Sequence, residues 1–244
     1  MEFEINNKSV DFEYQSYSDY NLRTLREKFG FDKIAGLGDE FQQQRDLMKW
    51  CSKKLYKGNG PISFIPGTCM DIINAVEKDN MSMNCYAHAL ALNETFLSMN
   101  FKTKIVFCMP LDLRTTECHC ITHVYSSVFK KWIIMDSANE CFYLNSKGIP
   151  LSIRELRNAL IFNEKIRIPG KNLLEADRML NYWRKNSIRY LTYAKSTCNI
   201  KGQQNKILYY LNPKLLVFKD KVINTNETVE QCFHFYNDQL FWEN

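Results

Sequence analysis

The spacing of apolar side chains over the first hundred residues predicts a series of amphipathic helices. The stretches DYNLRTLREKF (19–29) and GDEFQQQRDLMKWCSKKLY (38–56) carry apolar residues near the helical period. Thr68 and Asp71 have the spacing of a capping box at the start of a third helix. A fourth helix is predicted over MNCYAHALALNETFLSMN (83–100), and polar Ser82 or Asn84 can cap its start. Its predicted apolar stripe consists of Ala89, Leu92, Phe96 and Met99.

Beyond residue 100 the pattern changes to β-branched and aromatic runs separated by polar residues. KTKIVFCMP, CHCITHVYSS and KKWIIMDS are predicted to be three strands. Ser152 and Glu155 form a second capping box before another helix, and residues 173–186 are also predicted to be helical. Three further strands follow, in SIRYLTYAKS, KILYYLNPKLLVF and EQCFHFYNDQLFW. Helices first and strands after, with little βαβ alternation, predict an α+β fold with a largely antiparallel sheet.

Composition and charge narrow the class of protein. With 244 residues, 45% of them hydrophobic, the chain can bury a full core. The formal net charge of +5 is mild and no run of Lys or Arg exceeds two residues, so we expect no nucleic-acid surface. No apolar run approaches the roughly 18 residues of a membrane span, so no membrane association is expected.

The cysteines and the first residues of the chain suggest a compartment. Nine cysteines without a regular spacing are typical of reduced, mostly buried thiols. The start, MEFEINNKSVDFEYQ, is acidic and polar and lacks the basic region and apolar core of an export signal. We therefore expect a cytoplasmic protein.

One cysteine stands where a nucleophile is expected. Cys85 falls in the first turn of its predicted helix, where unpaired backbone N–H groups and the helix dipole stabilise a thiolate. A thiolate nucleophile also needs a histidine as its base and a third group that orients the histidine. Both follow on the next strands, because ECHCITHVY contains His119 and His123 and the strand KKWIIMDS contains Asp136.

The geometry of the predicted hairpin favours one of the two histidines. If His119 lies opposite Asp136, the turn is centred between Ser127 and Val128, in the polar SSVFKK loop. If His123 lies opposite Asp136, the turn moves two residues along the chain and leaves serines inside a strand. His119 is therefore the better candidate base, although a bulge would shift this register.

Two other chemistries are open to ECHCITHVY. Side chains alternate along a strand, so the two histidines face one way while Cys118 and Cys120 face the other. One metal ion could take either pair, but hardly all four, and no CxxC motif is present. A redox pair of Cys118 and Cys120 is disfavoured, because residues two apart on a strand rarely reach disulfide geometry. No calcium loop or other metal motif occurs, so we expect no metal and no cofactor.

Three blocks of the chain resemble the transglutaminase-like superfamily of cysteine enzymes, in its bacterial form. NCYAHALALNETFLSMNFKTKIVF is similar to the family's segment around the catalytic cysteine, HCITHVY to its histidine strand, and KKWIIMD to its Trp…Asp strand. Aligned in this way, Cys85, His119 and Asp136 match the catalytic triad in the family's chain order. The resemblance implies a papain-like α+β core in which the catalytic cysteine begins a helix packed on an antiparallel β-sheet.

Three positions depart from the family's pattern. Ser137 follows Asp136 where the family has Asp-Pro, Ile121 replaces a tryptophan, and His123 replaces a glutamate. Because of Ile121, we expect one aromatic wall of the cleft to be missing. His88 lies one turn after Cys85, and we expect it to make a structural hydrogen bond.

The resemblance also implies a domain organisation and a function. We expect an N-terminal helical region over 1–66, a catalytic core over 67–165, and a helix and strands over 166–244 that extend the sheet of the same domain. The implied function is a cysteine-dependent acyl transferase or hydrolase that attacks amide bonds of a protein or peptide substrate through a thioester. Hydrolysis by a peptidase, amidase or deamidase is favoured over cross-linking. The alternative is an inactive transglutaminase-like protein kept for binding or scaffolding.

Overall fold

A computed structural model describes residues 14–56, 62–63, 67–108, 118–187, 194–200, 205–211 and 229–235, with side chains for 14–56, 67–108 and 118–185. The helices are α1 Tyr20–Phe29, α2 Phe31–Ala35, α3 Glu40–Leu55, α4 Cys69–Asp79, α5 Cys85–Ser98, α6 Ile153–Ile161 and α7 Leu173–Tyr182, which continues as a π-helical turn over Trp183–Ser187. The strands are β1 Ile62–Ser63, β2 Ser82–Met83, β3 Thr103–Cys108, β4 His119–Ser126, β5 Lys131–Met135, β6 Ala194–Ile200, β7 Asn205–Leu211 and β8 Val229–Phe235. Parts of the last three predicted strands, at 188–193, 212–218 and 236–242, lie outside the described residues.

Six of the strands form one sheet in the order β5-β4-β3-β6-β7-β8. Neighbouring strands are antiparallel except β7 and β8, which are parallel. The α+β class with a largely antiparallel sheet is therefore confirmed. The small parallel pair of β1 and β2 and the short helix α2 were not predicted from the sequence.

Alternation along the strands places one core on each face of the sheet. Ile105, Val124 and Met135 pack with helices α1 to α5 on one face. Val106 and Ile134 pack with α6, α7 and Trp183 on the other face. Successive residues of one strand thus pack into different cores, which is why successive residues of β3 and of the second half of β5 are both buried.

The hairpin of β4 and β5 has a register that neither sequence-based alternative predicted. Thr122 pairs with Met135 and His123 with Ile134, so the hairpin is centred between Val128 and Phe129. The predicted pairing of His119 with Asp136 is therefore wrong, because this register places Ile121, two residues further along β4, opposite Asp136. Asp136 follows the end of β5 and bridges to Cys141. His119 remains a diagonal neighbour of Asp136 on the same face, and diagonal neighbours lie within reach of long side chains.

The helices begin at the capping residues that the sequence indicates. The two capping boxes, Thr68 with Asp71 and Ser152 with Glu155, are both formed. Asn84, and not Ser82, caps α5 by accepting a hydrogen bond from the backbone N–H of Ala87 at 2.9 Å. The N-terminus of α5 is therefore fixed by a side chain immediately before Cys85.

Helix α5 is buried on every side, whereas the sequence predicted a single apolar stripe. Every residue from Ala87 to Ser98 is buried, including Asn93, Glu94 and Thr95. The helix lies between β4 on one side and helices α1, α3 and α4 on the other. A helix enclosed in this way buries its polar residues too, so an apolar stripe does not mark the whole of its buried surface.

Glu94 is a buried carboxyl in α5 that makes stability depend on pH. Its Oε2 accepts a hydrogen bond from the backbone N–H of Cys69 at 2.8 Å, and burial raises its pKa to about 7. A raised folded-state pKa contributes stability below the unfolded pKa of about 4.3, and this contribution is lost as pH rises through about 7. The difference corresponds to about 3 kcal/mol.

We therefore expect Glu94→Gln, which keeps an oxygen for the Cys69 N–H, to gain stability relative to the wild type as pH rises. Between about pH 4.5 and about pH 8, the difference between the two free energies of unfolding should change by about 3 kcal/mol in favour of the variant. Urea unfolding at several pH values measures this difference, and all other titrating groups are common to both proteins. Parallel pH profiles would contradict the buried ionisation of Glu94.

No helix in the described part of the chain combines the length and the apolar character needed to cross a bilayer.

Candidate active site

Cys85 lies at the start of the buried helix, with its side chain half-buried. It is the first residue of α5, so its backbone N–H has no partner within the helix and points out of the helix end. The positive end of the helix dipole also favours a negative charge here. The sequence predicted this placement from the polar residues that precede Cys85.

His119, the first residue of β4, lies between Cys85 and Asp136. Its Nε2 is 2.8 Å from Asp136 Oδ2, and both side chains are buried. With Nε2 donating to the carboxylate, Nδ1 is the nitrogen left to hydrogen-bond the Cys85 sulfur. The structure thus brings together the three residues that the sequence singled out, in the order sulfur, imidazole and carboxylate.

Asn139 is a fourth polar residue of this group, and the sequence analysis missed it. Its side-chain Nδ2 donates to Asp136 Oδ2 at 2.9 Å, and its backbone N–H donates to Asp136 Oδ1 at 3.2 Å. The carboxylate of Asp136 is therefore held in place by a residue only three positions later in the sequence, within one turn. In the segment DSAN (136–139), the aspartate precedes small and polar residues, as is typical of a turn closed by a hydrogen bond from a backbone N–H to an Asp side chain. This pattern could have indicated the contact between Asn139 and Asp136.

The surroundings of Cys85 favour its thiolate form. The neighbouring Cys120 thiol favours ionisation of the Cys85 sulfur, burial opposes it, and the hydrogen bond and charge of His119 favour it, so that the pKa of Cys85 falls to about 4. Burial raises the pKa of Cys120 well above its usual range, and so Cys120 stays a neutral donor. A sulfur with this pKa is ionised at neutral pH.

His119 and Asp136 carry the matching charges. Burial alone would lower the pKa of His119, but the charge and hydrogen bond of Asp136, together with Cys85, raise it above its ordinary value. Asp136 is fully enclosed, which disfavours its charge, but the charge and hydrogen bond of His119 outweigh this and lower its pKa. The three shifts together favour a thiolate, an imidazolium and a carboxylate over their neutral forms near neutral pH.

Cys85 and His119 open into a cleft of about 420 Å³. The lining residues are Cys85, His119, Ala138, Asn139, Tyr143, Arg178, Met179, Tyr182 and Trp183. Trp183 packs edge-on to the His119 ring, with centroids 5.2 Å apart, and Tyr182 lies 6.1 Å from the same ring. The expectation that an aromatic wall is missing is therefore wrong, because α7 and the turn after it supply the wall that Ile121 cannot.

Two further histidines, His88 and His123, are not part of the triad geometry. His123 is fully buried, stacks on Trp132 with ring centroids 5.5 Å apart, and has its pKa lowered well below the usual range by burial. His88 is buried and its pKa is lowered by burial. Its Nδ1 makes no hydrogen bond to any residue that the structure describes, so the structural hydrogen bond expected for His88 is not present at this atom.

The metal and redox alternatives for ECHCITHVY can be compared with the geometry. Cys118 and Cys120 are free thiols. Among the described residues, no group of three or more His, Cys, Asp or Glu side chains is placed to hold a metal ion. Glu117 lies outside the described residues.

Comparisons with known proteins give no family for the chain. No family model matches it, and no relative is found among the curated proteins. A solved structure of a candidate cysteine protease from Cytophaga hutchinsonii is similar over 65% of this chain, with 13% sequence identity and a TM-score of 0.38. The chain spans 50% of the length of that neighbour. At this TM-score the chemistry of the chain has to be argued from its own residues.

Proposed function

We propose that this protein is a transglutaminase-like cysteine enzyme that attacks amide bonds with Cys85, uses His119 as its acid and base, and holds His119 with Asp136. The observation that carries the proposal is the row formed by the Cys85 sulfur, the His119 ring and the Asp136 carboxylate beside an open cleft. A core cysteine kept for packing would be enclosed and neutral. Cys85 instead has a lowered pKa and faces the cleft, whereas Cys51 and Cys108 are buried and have raised pKa values.

The mechanism follows from where the protons lie. The Cys85 thiolate attacks the amide carbon and forms the C–S bond, and the negative charge moves to the carbonyl oxygen. The backbone N–H of Cys85 at the start of α5 can donate to that oxygen. As the C–N bond breaks, the His119 imidazolium gives its Nδ1 proton to the leaving amine, which leaves a neutral ring and a thioester.

Water then completes the cycle. Neutral His119 takes a proton from water as the water oxygen attacks the thioester carbon, and the C–S bond breaks to release a carboxylic acid product and the thiolate. Asp136 and Asn139 keep the imidazole oriented with Nε2 away from Cys85 throughout. An amine in place of water would give transamidation, and the proposal favours hydrolysis.

An activated ester that needs no specific recognition tests this function. With p-nitrophenyl acetate we expect a burst of p-nitrophenolate and one acetyl group on Cys85, seen by intact-protein and peptide mass spectrometry, which then decays in water. Cys85→Ser should show neither the burst nor the adduct. Faster loss of the acetyl group in the presence of methylamine would identify acyl transfer to the amine. A rate of loss that does not change with methylamine would identify hydrolysis. Absence of the adduct from the folded wild type would leave a binding protein without chemistry.

A further inference from the structure

One wall of the cleft carries a positively charged side chain to which the proposed mechanism gives no role. Arg178, Met179, Tyr182 and Trp183 face the cleft from α7 and the turn after it. Their spacing of one, four and five residues is that of a single helix face. Apart from Cys85 and His119, which neutralise each other, Arg178 is the one charged side chain among the described residues that line the cleft.

Arg178 is exposed, and the described residues offer it no carboxylate partner. No carboxylate in the described part of the chain forms an ion pair with it. Glu175, one turn earlier on the same helix, is engaged in the capping box, where its Oε2 accepts from the backbone N–H of Asn172 at 2.9 Å. The guanidinium therefore keeps its donors available at the mouth of the cleft.

Arg178 lies one helical turn before Tyr182, which contacts the ring of His119. Tyr182 lies edge-on to the His119 ring, and Arg178 precedes Tyr182 by one helical turn, about 5.4 Å along the axis. Side chains on a helix lean toward its N-terminus, so the Arg178 side chain is directed away from the turn that carries Tyr182. One residue of an extended peptide spans about 3.5 Å. A group bound by Arg178 is then one or two residues from the amide at Cys85.

We propose that Arg178 binds a carboxylate of the substrate, so that the substrates of this site are acidic peptides with the carboxylate one or two residues from the attacked amide. Guanidinium and carboxylate fit each other as a planar pair with two parallel hydrogen bonds. The aromatic and apolar remainder of the cleft, Met179, Tyr182 and Trp183, offers no competing charge. This assignment of substrate class rests on the proposed function of the site.

Two alkylating reagents of similar size test the charge without a known substrate. Iodoacetate is an anion and iodoacetamide is neutral, and both label Cys85 by displacement of iodide. We expect Arg178→Gln to lower the ratio of the iodoacetate rate to the iodoacetamide rate about threefold, as one charge at about 7 Å in a largely aqueous cleft implies. Arg178→Lys should keep most of the ratio. Arg167→Gln removes the same charge from an exposed arginine that does not line the cleft, and it should leave the ratio unchanged.

The outcomes separate this proposal from the proposed function. An equal ratio in the wild type and in Arg178→Gln overturns the carboxylate site, even if Cys85 labels fast with both reagents. The ratio is also measured at about pH 9.5, where an ordinary thiol is ionised, so the charge of Arg178 is tested even if Cys85 lacks a lowered pKa. If Cys85 lacks a lowered pKa but the ratio still depends on Arg178, the result supports the carboxylate-binding site and contradicts the proposed function, together with the substrate class that rests on it.

Protection experiments distinguish the two sources of a carboxylate. Acetyl-Ala-Glu-amide carries a side-chain carboxylate, acetyl-Ala-Gln carries a terminal carboxylate, and acetyl-Ala-Gln-amide carries neither. We expect at least one of the first two peptides to slow labelling of wild-type Cys85 by iodoacetamide, and the effect to disappear in Arg178→Gln. Equal protection by all three peptides would contradict the proposal, because recognition would then not depend on charge.

Discussion

In His119→Ala, alkylation of Cys85 by iodoacetamide is expected to be slower than in the wild type at about pH 5, by up to about 30-fold, the limit reached if Cys85 returns to the pKa of an ordinary thiol. A thiol with a pKa of about 4 is mostly ionised at that pH, whereas an ordinary thiol with a pKa near 8.5 is ionised to about one part in 3000. The more basic thiolate is about 100-fold more nucleophilic, which offsets part of that difference. The rate in the variant should also rise with pH up to about 8.5, while the wild-type rate is flat above about pH 5.

The loss of turnover in His119→Ala should be larger than the loss of labelling. The acetyl thioester needs a base to activate water, and removal of a positioned acid–base group typically costs about 10²–10⁴ in rate. We therefore expect the acetyl group on Cys85 to decay about 10³-fold more slowly in this variant, as measured by intact-protein mass spectrometry.

Two further variants identify which residues lower the pKa of Cys85. His123→Ala removes a buried histidine that stacks on Trp132, so it should leave the pH profile of Cys85 intact provided that the variant folds by circular dichroism. Cys120→Ala removes the thiol donor, and we expect it to raise the apparent pKa of Cys85 by about one to two units, as one hydrogen bond to a charged group implies. If His119→Ala keeps the wild-type profile, His119 is not the ion-pair partner of Cys85.

Trp183→Ala is expected to lower the free energy of unfolding by about 4 kcal/mol, the usual cost of truncating a buried tryptophan. Only 2% of Trp183 is exposed, and its Nε1–H donates to Tyr143 Oη at 2.6 Å. Without that partner the buried Tyr143 hydroxyl loses a hydrogen bond. Urea unfolding followed by circular dichroism measures the loss.

The same substitution should disturb the site, because Trp183 covers the His119 ring. Water admitted beside His119 and Asp136 would weaken their interaction, and the apparent pKa of Cys85 should move toward its ordinary value. Trp183→Phe keeps an aromatic ring at this position and should retain most of the labelling profile. Trp50→Ala, in the aromatic cluster with Phe29 and Phe31, should destabilise the protein without changing that profile. Equal effects of Trp50→Ala and Trp183→Ala on Cys85 would contradict a direct role of Trp183.

Local features of the fold follow from the sequence because they depend on neighbouring residues. The capping boxes at Thr68 and Ser152 and the change from helical to strand spacing after residue 100 are local patterns, and all are present in the structure. The nature of α5 was only partly predictable. Its apolar stripe was visible, but the packing that encloses Asn93 and Glu94 depends on helices that come from elsewhere in the chain.

The sequence by itself determined that a cysteine begins a helix, that histidines follow on one strand and an aspartate at the end of the strand paired with it, and that the fold is α+β. These are consequences of spacing and capping, which act within a few residues. The sequence favoured His119 over His123, but through a hairpin register that the structure does not have. The tertiary structure alone decided the true register, the approach of His119 Nε2 to Asp136, and the contact of Asn139 with that carboxylate. It also placed Arg178, Tyr182 and Trp183 at a cleft whose other lining residues lie between Cys85 and Tyr143, far earlier in the chain. Such contacts depend on how whole layers pack, and no periodicity within one segment encodes them.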